Sequence, residues 1–509
     1  MNGKREYGDY QTPEFFSLSV CRYLKDIRKI KPSVVIEPTC GLGSFIKSGL
    51  IFEASEFIGI EVNPDYCDIC SQTIKDPRVQ ILNADFFDFD LTSIVKGKEK
   101  LLILGNPPWV NNSTLSSLSS DNLPTKLNFK GLKGMDAITG ASNFDICEYI
   151  ILRLIASLYN TNATIAMLCK TSVARNIFAE MKRIHTNFKS CDMLEFSANK
   201  VFGISASACL LVIELSNENI SADVCNVYSF DNPNVIKNSF GYVDGNFYSD
   251  TTKEGTDFSG KCCFEWRQGV KHDCSKVMEL SLDGTTFKNG LNETVSIESE
   301  YVFPLIKSSM FKSPIVDSFC KYVIVTQKKI REDTSHIETD APETWRYLTS
   351  HKEHFSKRKS SIYKDSPEFS MFGIGDYSYS KYKVGISGFY KKPLFSVLLS
   401  KDGKPVMTDD TSYFICFPTY DTAYTAMLIL NSAKVQKFLL KIAFLDAKRP
   451  YTKKVLERID FHIILQTISI ADLIDSEQQL GLNKYFAAEM LEEFKFLPEF
   501  SQESLNLYF

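Results

Sequence analysis

Long hydrophobic runs are missing from this sequence of 509 residues. No run of about 18 uncharged apolar residues occurs, so no membrane-spanning helix is predicted. Residues 1–10 also lack the apolar stretch of a secretion signal. An excess of basic charge is missing as well, because the net charge is −4. This charge excludes a protein that coats nucleic acid by bulk electrostatics, although it does not exclude a local basic face. We expect a cytoplasmic protein that does not bind membranes.

Paired metal-binding motifs are also scarce. The fourteen cysteines are scattered and often lie within apolar runs, which is typical of reduced thiols in a cytosolic protein. Cys67 and Cys70 have CxxC spacing, but no second CxxC or HxxxH pair follows at the distance of a zinc finger. A denser group comprises Cys262, Cys263, His272 and Cys274. Chance clustering explains both groups better than zinc does, so we predict no metal site.

The length and the apolar pattern indicate two domains. A chain of 509 residues exceeds the roughly 250 to 300 residues at which single cores stop growing. Up to residue 215, short apolar runs alternate with longer helical stretches, which is typical of a parallel α/β sheet. Seven strands are predicted, at residues 33–36, 56–60, 79–82, 101–104, 163–168, 192–196 and 207–214. We therefore expect a doubly wound, mostly parallel seven-stranded α/β domain over residues 1–220 and an α+β domain over residues 221–509.

A glycine loop follows the first predicted strand, in residues 37–45 (EPTCGLGSF). Gly41 and Gly43 allow the backbone to turn tightly and to approach a ligand, and the helix that follows presents free N–H groups. A third glycine at the spacing of the dinucleotide fingerprint is absent, which makes NAD a poorer fit. The loop therefore indicates a nucleotide-like cofactor but does not identify it alone.

An acidic residue stands at the end of each of the next two predicted strands. Glu61 ends the second strand, at the edge where ribose hydroxyls are bound in such sheets. Asp85 follows the third strand and can accept a hydrogen bond from an adenine amine, while Phe86 can cover a ring face. Together with the glycine loop, these residues supply the parts of a pocket for an adenosyl group.

A rigid turn, Asn106-Pro107-Pro108-Trp109, follows the fourth predicted strand. The prolines fix φ and remove two donors, so the carbonyl groups of the turn are free to accept. The side-chain oxygen of Asn106 and the carbonyl of Pro107 can hold the two hydrogens of an amine, with its lone pair directed at a cofactor methyl group. Transfer then depends on proximity and orientation rather than on a strong base. Trp109 can stack on an extruded base.

These motifs, preceded by Asp9-Tyr10-Gln11-Thr12-Pro13, resemble the gamma group of bacterial restriction-modification adenine-N6 DNA methyltransferases. The resemblance covers residues 7–215 and implies S-adenosyl-L-methionine as the cofactor and a C-terminal target recognition domain. It places Thr12 at the methionine carboxylate, Glu37 and Thr39 beside the methionine, and Glu61 at the ribose. The remaining implied cofactor-binding residues are Gly41, Gly43, Asp85, Phe86 and Phe144.

The same resemblance assigns residues to the target base. Asn106 and Pro107 would hold its amine, and Phe202 would sandwich it opposite Trp109. An ordinary core phenylalanine is the alternative for Phe202. The family further implies double-stranded DNA as the partner and a bacterial or archaeal cytoplasm as the location. A restriction endonuclease could be encoded separately, but no stable complex with it is implied, and the glycine loop begins too early to leave room for a nuclease domain before it.

Basic and aromatic residues interleave in the C-terminal half. Between residues 345 and 392 there are ten Lys or Arg against four acids. Such a surface can grip phosphates and pack against exposed bases, although a solvated face is the alternative. The candidate DNA-binding residues are Lys357, Arg358, Lys359, Lys383, Lys391 and Lys392.

Three other functions compete with this prediction. Enzymes that methylate RNA or protein glutamine share the catalytic half, but they are usually shorter, and the long basic and aromatic C-terminal half favours DNA. A DNA-binding subunit without activity would be expected to have lost part of the Asn106 turn or the cofactor acids. Methylation of cytosine N4 is the third alternative, which Asn106 disfavours.

Overall fold

The computed structural model describes residues 11–110 and 145–500, so Phe144 lies outside the described residues. The chain divides into two compact units, Met1–Thr252 and Lys253–Phe509. Strands and helices are numbered below in chain order among the described residues.

The first unit is built on one mixed sheet, which confirms the α/β class. Its ten strands are β1 Val34–Glu37, β2 Glu56–Glu61, β3 Val79–Asn83, β4 Leu101–Gly105, β5 Thr164–Lys170, β6 Phe188–Ser197, β7 Ser207–Leu215, β8 Val224–Ser229, β9 Asn232–Val243 and β10 Asn246–Tyr248. They lie in the order β10-β9-β8-β6-β7-β5-β4-β1-β2-β3. Strands occur at all seven predicted positions, but the sheet has ten strands rather than seven.

Strand direction follows the predicted βα alternation in the first half of the sheet. Strands β1 to β5 pair in parallel, and β7 lies antiparallel between β5 and β6. The central strands β1 and β4 are buried along their whole length, which is why they are continuous apolar runs. Because parallel strands end at one edge of a sheet, the residues after β1, β2, β3 and β4 come together there.

Among residues 11–110 and 145–252, seven α-helices accompany this sheet: α1 Glu14–Arg22, α2 Ser44–Gly49, α3 Pro64–Thr73, α4 Leu91–Val95, α5 Ile146–Ser157, α6 Thr171–Arg183 and α7 Ala198–Phe202. Local signals explain several of their starts. The Asn63 side chain caps α3 by accepting from the backbone of Asp65, and Pro64 occupies its first turn. Asp145 caps α5 in the same way.

The first unit extends beyond the predicted boundary at residue 220. Strand β8 pairs in parallel with β6, and β9 pairs antiparallel with β8. The sequence loses its βα alternation at residue 216 because this extension of the sheet is a hairpin and not a strand-helix repeat. Residues 224–248 therefore belong to the sheet of the first unit.

The second unit contains two sheets. The five-stranded sheet has the order β11 (Arg267–Gln268), β21 (Ser412–Phe417), β18 (Tyr382–Ser387), β19 (Phe395–Leu399), β16 (Ile315–Val316). The six-stranded sheet has the order β14 (Thr294–Val295), β13 (Thr286–Asn289), β12 (Glu279–Asp283), β17 (Lys321–Ile324), β15 (Val302–Ile306), β20 (Met407–Thr408). Each sheet is mixed, with parallel pairs only at its edge.

In the described part of the second unit, up to residue 500, there are ten α-helices: α8 Ser275–Met278, α9 Ile337–Asp340, α10 Pro342–Ser350, α11 Lys352–Ser356, α12 Tyr420–Asn431, α13 Ala433–Ile442, α14 Lys453–Leu456, α15 Phe461–Thr467, α16 Ile470–Gln479 and α17 Ala488–Lys495. Helix α12 is almost wholly buried, which fits its continuous apolar sequence. Within residues 11–110 and 145–500, no helix has both the length and the apolar character needed to cross a membrane.

The cysteines form no disulfide, and all but Cys263, Cys320 and Cys416 are buried. No group of three or more His, Cys, Asp or Glu side chains among the described residues is arranged to hold a metal ion. In the first of the two cysteine groups, the Cys70 thiol donates to the carbonyl of Gly41 at 3.3 Å. The Cys67 thiol donates to the carbonyl of Glu61 at 3.5 Å. Both thiols therefore pack against the glycine loop and the end of β2.

Candidate active site

The glycine loop joins β1 to α2 in a conformation that only glycine adopts freely. Gly41 and Gly43 have φ values of 52° and 77°, and both lie in the left-handed region. A Cβ at Gly43 would lie 2.8 Å from the Cys70 sulfur. The backbone of Cys40 donates to the carbonyl of Ile60 at 2.8 Å, which holds the loop against β2. The loop is therefore a tight cradle at the carboxyl edge of the sheet.

Glu61, at the end of β2, is bound to the same loop. One carboxylate oxygen accepts from the backbone of Gly41 at 2.8 Å, and the other accepts from Asn63 at 2.9 Å. The side chain is buried. Its predicted ribose-binding position is thus adjacent to the cradle, and its carboxylate already orders the loop.

Glu37 and Thr39 line the start of the loop. The Glu37 carboxylate is 3% exposed and accepts from the backbone of Ile46 at 3.1 Å. Burial raises the pKa of Glu37 well above its usual range. The Thr39 hydroxyl is buried and has no hydrogen-bond partner among the described residues. A buried hydroxyl without a hydrogen-bond partner at the start of the glycine loop is available to bind a ligand.

Two residues before α1 reach the same loop. Thr12 is buried, and the side-chain oxygen of Gln11 accepts from the backbone of Leu42 at 3.2 Å. A Cβ at Gly41 would lie 3.0 Å from the Gln11 side chain. The segment before α1 therefore packs against the glycine loop, where the resemblance places it.

Asp85 and Phe86 follow β3 as predicted, but Phe86 has a neighbour that the sequence did not reveal. Asp85 accepts from the backbone of Phe87 at 2.8 Å. Phe86 is buried, with the Arg153 guanidinium 5.6 Å from its ring centroid. Arg153 also donates to the carbonyl of Phe89 at 3.0 Å. No local motif marks Arg153, because it lies on α5, 64 residues away from the loop that it holds.

The turn after β4 lies beside the end of β5, since Gly105 pairs with Met167. Trp109 is 8% exposed, and its indole N–H donates to the carbonyl of Leu168 at 3.3 Å. The side-chain oxygen of Asn106 is buried, and Pro107 is buried as well. The turn is therefore fixed to the core at the sheet edge that also carries the glycine loop, because β1 and β4 are parallel neighbours.

Phe202, the predicted partner of Trp109, is the last residue of α7. Its ring centroid is 5.5 Å from that of Trp109, with an angle of 77° between the planes. Phe16 and Phe196 pack at 6.4 Å and 6.2 Å from Phe202. This edge-to-face contact leaves no room for a base between the two rings, so a base could enter only after one ring turns. The sequence did not indicate the aromatic cluster around Phe202.

A partly buried ion pair beside Trp109 was also missed from the sequence. The Lys170 ammonium lies 2.6 Å from the Asp145 carboxylate and donates to the carbonyl of Trp109 at 3.3 Å. Burial raises the pKa of Asp145, and Lys170 opposes this shift. An isolated lysine at a strand end carries no sequence signal, and its bonding partners come from segments far apart in the chain.

The six predicted DNA-binding residues do not share one environment. Lys357, Lys359, Lys391 and Lys392 are exposed. Arg358 turns inward, with its guanidinium 3.8 Å from the centroid of the Tyr363 ring and donating to the carbonyl of Ser370 at 2.6 Å. The exposed lysines can contact phosphate, whereas Arg358 serves mainly to hold the loop.

The structure contradicts the predicted DNA-binding role of Lys383. It is 1% exposed, and its ammonium donates to the carbonyls of Ser378, Ser380 and Val406 at 2.8, 3.0 and 2.8 Å. Burial lowers its pKa to about 8. A side chain inside the five-stranded sheet's core cannot reach a phosphate, so Lys383 is a structural residue.

Comparisons with known proteins extend over nearly the whole chain. No protein-family profile matches it. The Type II methyltransferase M.NspV of Nostoc sp. (strain ATCC 29411 / PCC 7524) is 38% identical over 477 residues, which are 91% of this chain and 98% of that protein. The modification methylase CviBIII of Paramecium bursaria Chlorella virus NC1A is 28% identical over 108 residues, or 21% of this chain and 27% of that protein.

A solved structure is also similar. The Type IIL restriction-modification enzyme MmeI, in complex with DNA, superposes with a TM-score of 0.52 at 14% identity, over 97% of this chain and 76% of that chain. At this identity the similarity shows a shared fold.

Proposed function

This chain belongs to the Type II methyltransferases, and from that premise we propose that it methylates the N6 amine of an adenine in duplex DNA. We assign it to the gamma group, as the modification enzyme of a restriction-modification system, with any endonuclease encoded separately. The observation that carries the proposal is the Asn106-Pro107-Pro108-Trp109 turn, which follows β4 next to β1, the strand that leads into the glycine loop, and which is held to β5 through Trp109.

The residues around the glycine loop fit S-adenosyl-L-methionine. The buried Thr39 hydroxyl and the cradle at Gly41 and Gly43 would receive its methionine part, with Thr12 and Glu37 alongside. Glu61 would hold the ribose, and Asp85 with Phe86 would hold the adenine. When bound, this cofactor supplies a methyl group on a positively charged sulfur, which needs no further activation by the protein.

The target amine would be held by acceptors of the rigid turn. The Asn106 side-chain oxygen and the Pro107 carbonyl accept its two hydrogens, which directs the nitrogen lone pair away from the turn. Such acceptors stabilise the positive charge that develops on the nitrogen as the methyl group arrives. Trp109 and Phe202 would cover the two faces of the base once the rings part. The chain thus contributes alignment and electrostatic stabilisation. The nitrogen is acidic once it is methylated and positively charged, so it would lose its extra proton to water and no general base is required.

The second unit would bind the duplex. Lys357, Lys359, Lys391 and Lys392 are exposed on it, and lysines of this kind contact phosphates without reading sequence. A base-extruding enzyme needs such a surface because the duplex must be held while one base leaves the stack. We therefore assign target recognition to residues 253–509 and catalysis to the unit before them.

The test is transfer of labelled methyl groups from S-adenosylmethionine to unmethylated DNA, followed by nucleoside analysis. N6-methyladenine in one short sequence is the expected product. N4-methylcytosine would overturn the assignment to adenine, and label in RNA or protein but not in DNA would overturn the assignment to DNA.

The variant Asn106→Ala tests the site itself. Its single-turnover methylation rate should fall by about 10²-fold or more, since an acceptor that acts at the transition state is removed. Its Kd for the cofactor should stay within about threefold of wild type. Asn226→Ala is the control, because Asn226 is bonded to Asp192 at 3.3 Å on β8, away from the turn. An unchanged rate in Asn106→Ala would refute the assignment of the catalytic turn.

A further inference from the structure

The end of β5 holds Trp109 at two points. The indole N–H donates to the carbonyl of Leu168 at 3.3 Å. Two residues further along the strand, the Lys170 ammonium donates to the main-chain carbonyl of Trp109, also at 3.3 Å. The first hydrogen bond fixes the ring and the second fixes the peptide plane, so the last residue of the catalytic turn is bound to β5 on both its side chain and its backbone.

Lys170 is itself held in place by a buried carboxylate. Its ammonium lies 2.6 Å from Asp145, and the two side chains are 28% and 7% exposed. Asp145 also accepts from the backbone of Cys147 at 3.1 Å, and Ile146 donates to the carbonyl of Val110 at 2.9 Å. Lys170 therefore links the turn after β4 to the start of α5, and neither partner can shift without breaking an ion pair whose carboxylate is buried.

This arrangement suits a reaction that depends on alignment. A methyl transfer without a general base is sensitive to the position of the turn, because a displacement of about 1 Å can cost on the order of 10²-fold in rate. The ion pair adds no net charge near the nitrogen on which positive charge develops. A lone carboxylate or a lone ammonium at this depth would carry a desolvation cost.

We propose that Lys170, held by Asp145, is a positioning residue that fixes Trp109 for methyl transfer. This inference rests on the proposed function, because it takes the Asn106 turn as the catalytic site. Lys170 acts through Trp109 and does not itself contact the reacting atoms.

The test compares Lys170→Met with two other variants. Methionine keeps much of the apolar stem but removes both polar interactions, whereas Lys170→Arg retains a cation that can reach Asp145 and the carbonyl. Lys98→Met is the matched control. The Lys98 side chain is also 28% exposed and is 2.5 Å from Glu56, which is the first residue of β2 and so lies at the opposite edge of the sheet.

In single-turnover assays with S-adenosylmethionine and duplex DNA, Lys170→Met should lower the methylation rate by about 10²-fold. The Kd values for DNA and cofactor should stay within about threefold, as expected for a positioning effect. Lys170→Arg should raise the rate at least about tenfold above that of Lys170→Met, and Lys98→Met should stay within about twofold of wild type. A Lys170→Met rate within about twofold of wild type, or an equal loss in Lys98→Met, would overturn the proposal.

Asp145→Asn provides a second route to the same conclusion. The amide keeps an oxygen to accept from Cys147 but removes the charge that holds Lys170. Its rate should fall in the same direction as that of Lys170→Met, with unchanged affinity for DNA. A wild-type rate in Asp145→Asn would contradict the role of the pair.

A spectroscopic measurement separates failure of this inference from failure of the proposed function. The chain has three tryptophans, so 5-fluorotryptophan labelling gives three ¹⁹F resonances, and Trp109→Phe identifies that of Trp109. Lys170→Met should shift this resonance while leaving the other two in place, and Lys98→Met should shift none. If the wild-type protein methylates no DNA, the proposed function fails. If the Trp109 resonance does not change in Lys170→Met, Lys170 does not fix Trp109 and the inference is wrong, whatever the methylation rate of the variant.

Discussion

His272 shows how burial sets the protonation state of a single residue. Its side chain is 6% exposed, and its Nδ1 atom accepts from the backbone N–H of Cys274 at 3.2 Å. This hydrogen bond requires the neutral ring to carry its proton on Nε2. Burial, reinforced by the positive charge of Lys307, lowers the pKa of His272 to about 4. Nothing in the sequence around His272 indicates this burial.

This shift predicts an acid-dependent loss of stability in the second unit. Because the folded pKa lies below the unfolded value of about 6.5, the unfolded state takes up the proton first as the pH falls. The stabilisation is complete above about pH 6.5 and is lost between about pH 6.5 and 4, with a magnitude of about 3 kcal/mol. Chemical denaturation at a series of pH values should show a shallower loss for His272→Asn, whose side-chain oxygen can still accept from Cys274. Identical pH profiles for the two proteins would contradict this assignment.

At the scale of the element, the β8–β9 hairpin depends on one glycine. Gly241 has a φ of 151° and pairs with Val224. A Cβ there would lie 2.2 Å from the carbonyl oxygen of Asp223, which accepts from Tyr242 at 2.8 Å. The hairpin can approach β8 this closely only because the side chain is absent.

Gly241→Ala should therefore destabilise the first unit by about 3 kcal/mol or more, since strain and overpacking combine. Gly245→Ala is the matched control. Its φ is also positive, at 80°, but no atom lies within 4 Å of the added Cβ, so only the cost of the left-handed backbone, about 1 to 2 kcal/mol, is expected. Thermal unfolding followed by circular dichroism measures both. Equal losses of stability in the two variants would show that the close approach of Gly241 to Asp223 does not contribute to the cost.

The segment after α11 contains two exposed lysines and one arginine that turns toward the protein. Lys357 and Lys359 point to solvent, whereas Arg358 is bonded to the carbonyl of Ser370. Replacing both lysines with alanine should reduce the slope of log K against log salt for DNA binding by about 0.9 for each phosphate that is no longer neutralised, or nearly 2 in all. Fluorescence anisotropy over a range of salt concentrations measures this slope. The exposed pair Lys484 and Lys495, replaced together, should leave it unchanged, and an unaltered slope in the first variant would remove this segment from the DNA face.

At the scale of the whole molecule, each unit has the means to fold around its own core. The first is organised by the ten-stranded sheet, and the second contains buried clusters such as that formed by Met278, Leu280, Ile324, Leu348 and Phe369. Two compact units of similar size, Met1–Thr252 and Lys253–Phe509, predict more than one unfolding transition.

Calorimetry should resolve two unfolding transitions. Under the proposed function, S-adenosylmethionine binds only the folded first unit, so at about a hundred times its Kd it should stabilise one of them by about 2.7 kcal/mol. Gly241→Ala should lower that same transition, and His272→Asn should affect only the other one at acid pH. A single transition that moves as a whole with cofactor would show that the two units unfold together.

Several features of this protein were predictable from local sequence. The central strands β1 and β4 are buried apolar runs, and the Asn106 turn and the glycine loop carry their own residue pattern. These signals reside in neighbouring residues, so a single sequence reveals them. The roles of Asn106, Trp109 and Phe202 in catalysis stay predictions, although the structure brings Trp109 and Phe202 into contact.

Other features were decided only by tertiary structure. The hairpin after residue 220 joins the first sheet because β8 pairs with β6, more than thirty residues earlier. Lys383 is a basic residue in a basic segment, yet it is buried because the Val406 carbonyl, 23 residues away, accepts a hydrogen bond from its ammonium. Lys170 holds Trp109 across 61 residues. In each case the sequence by itself determined which groups were available, and the packing of distant segments decided their partners, because a buried polar group must find its partner wherever the fold brings one within reach.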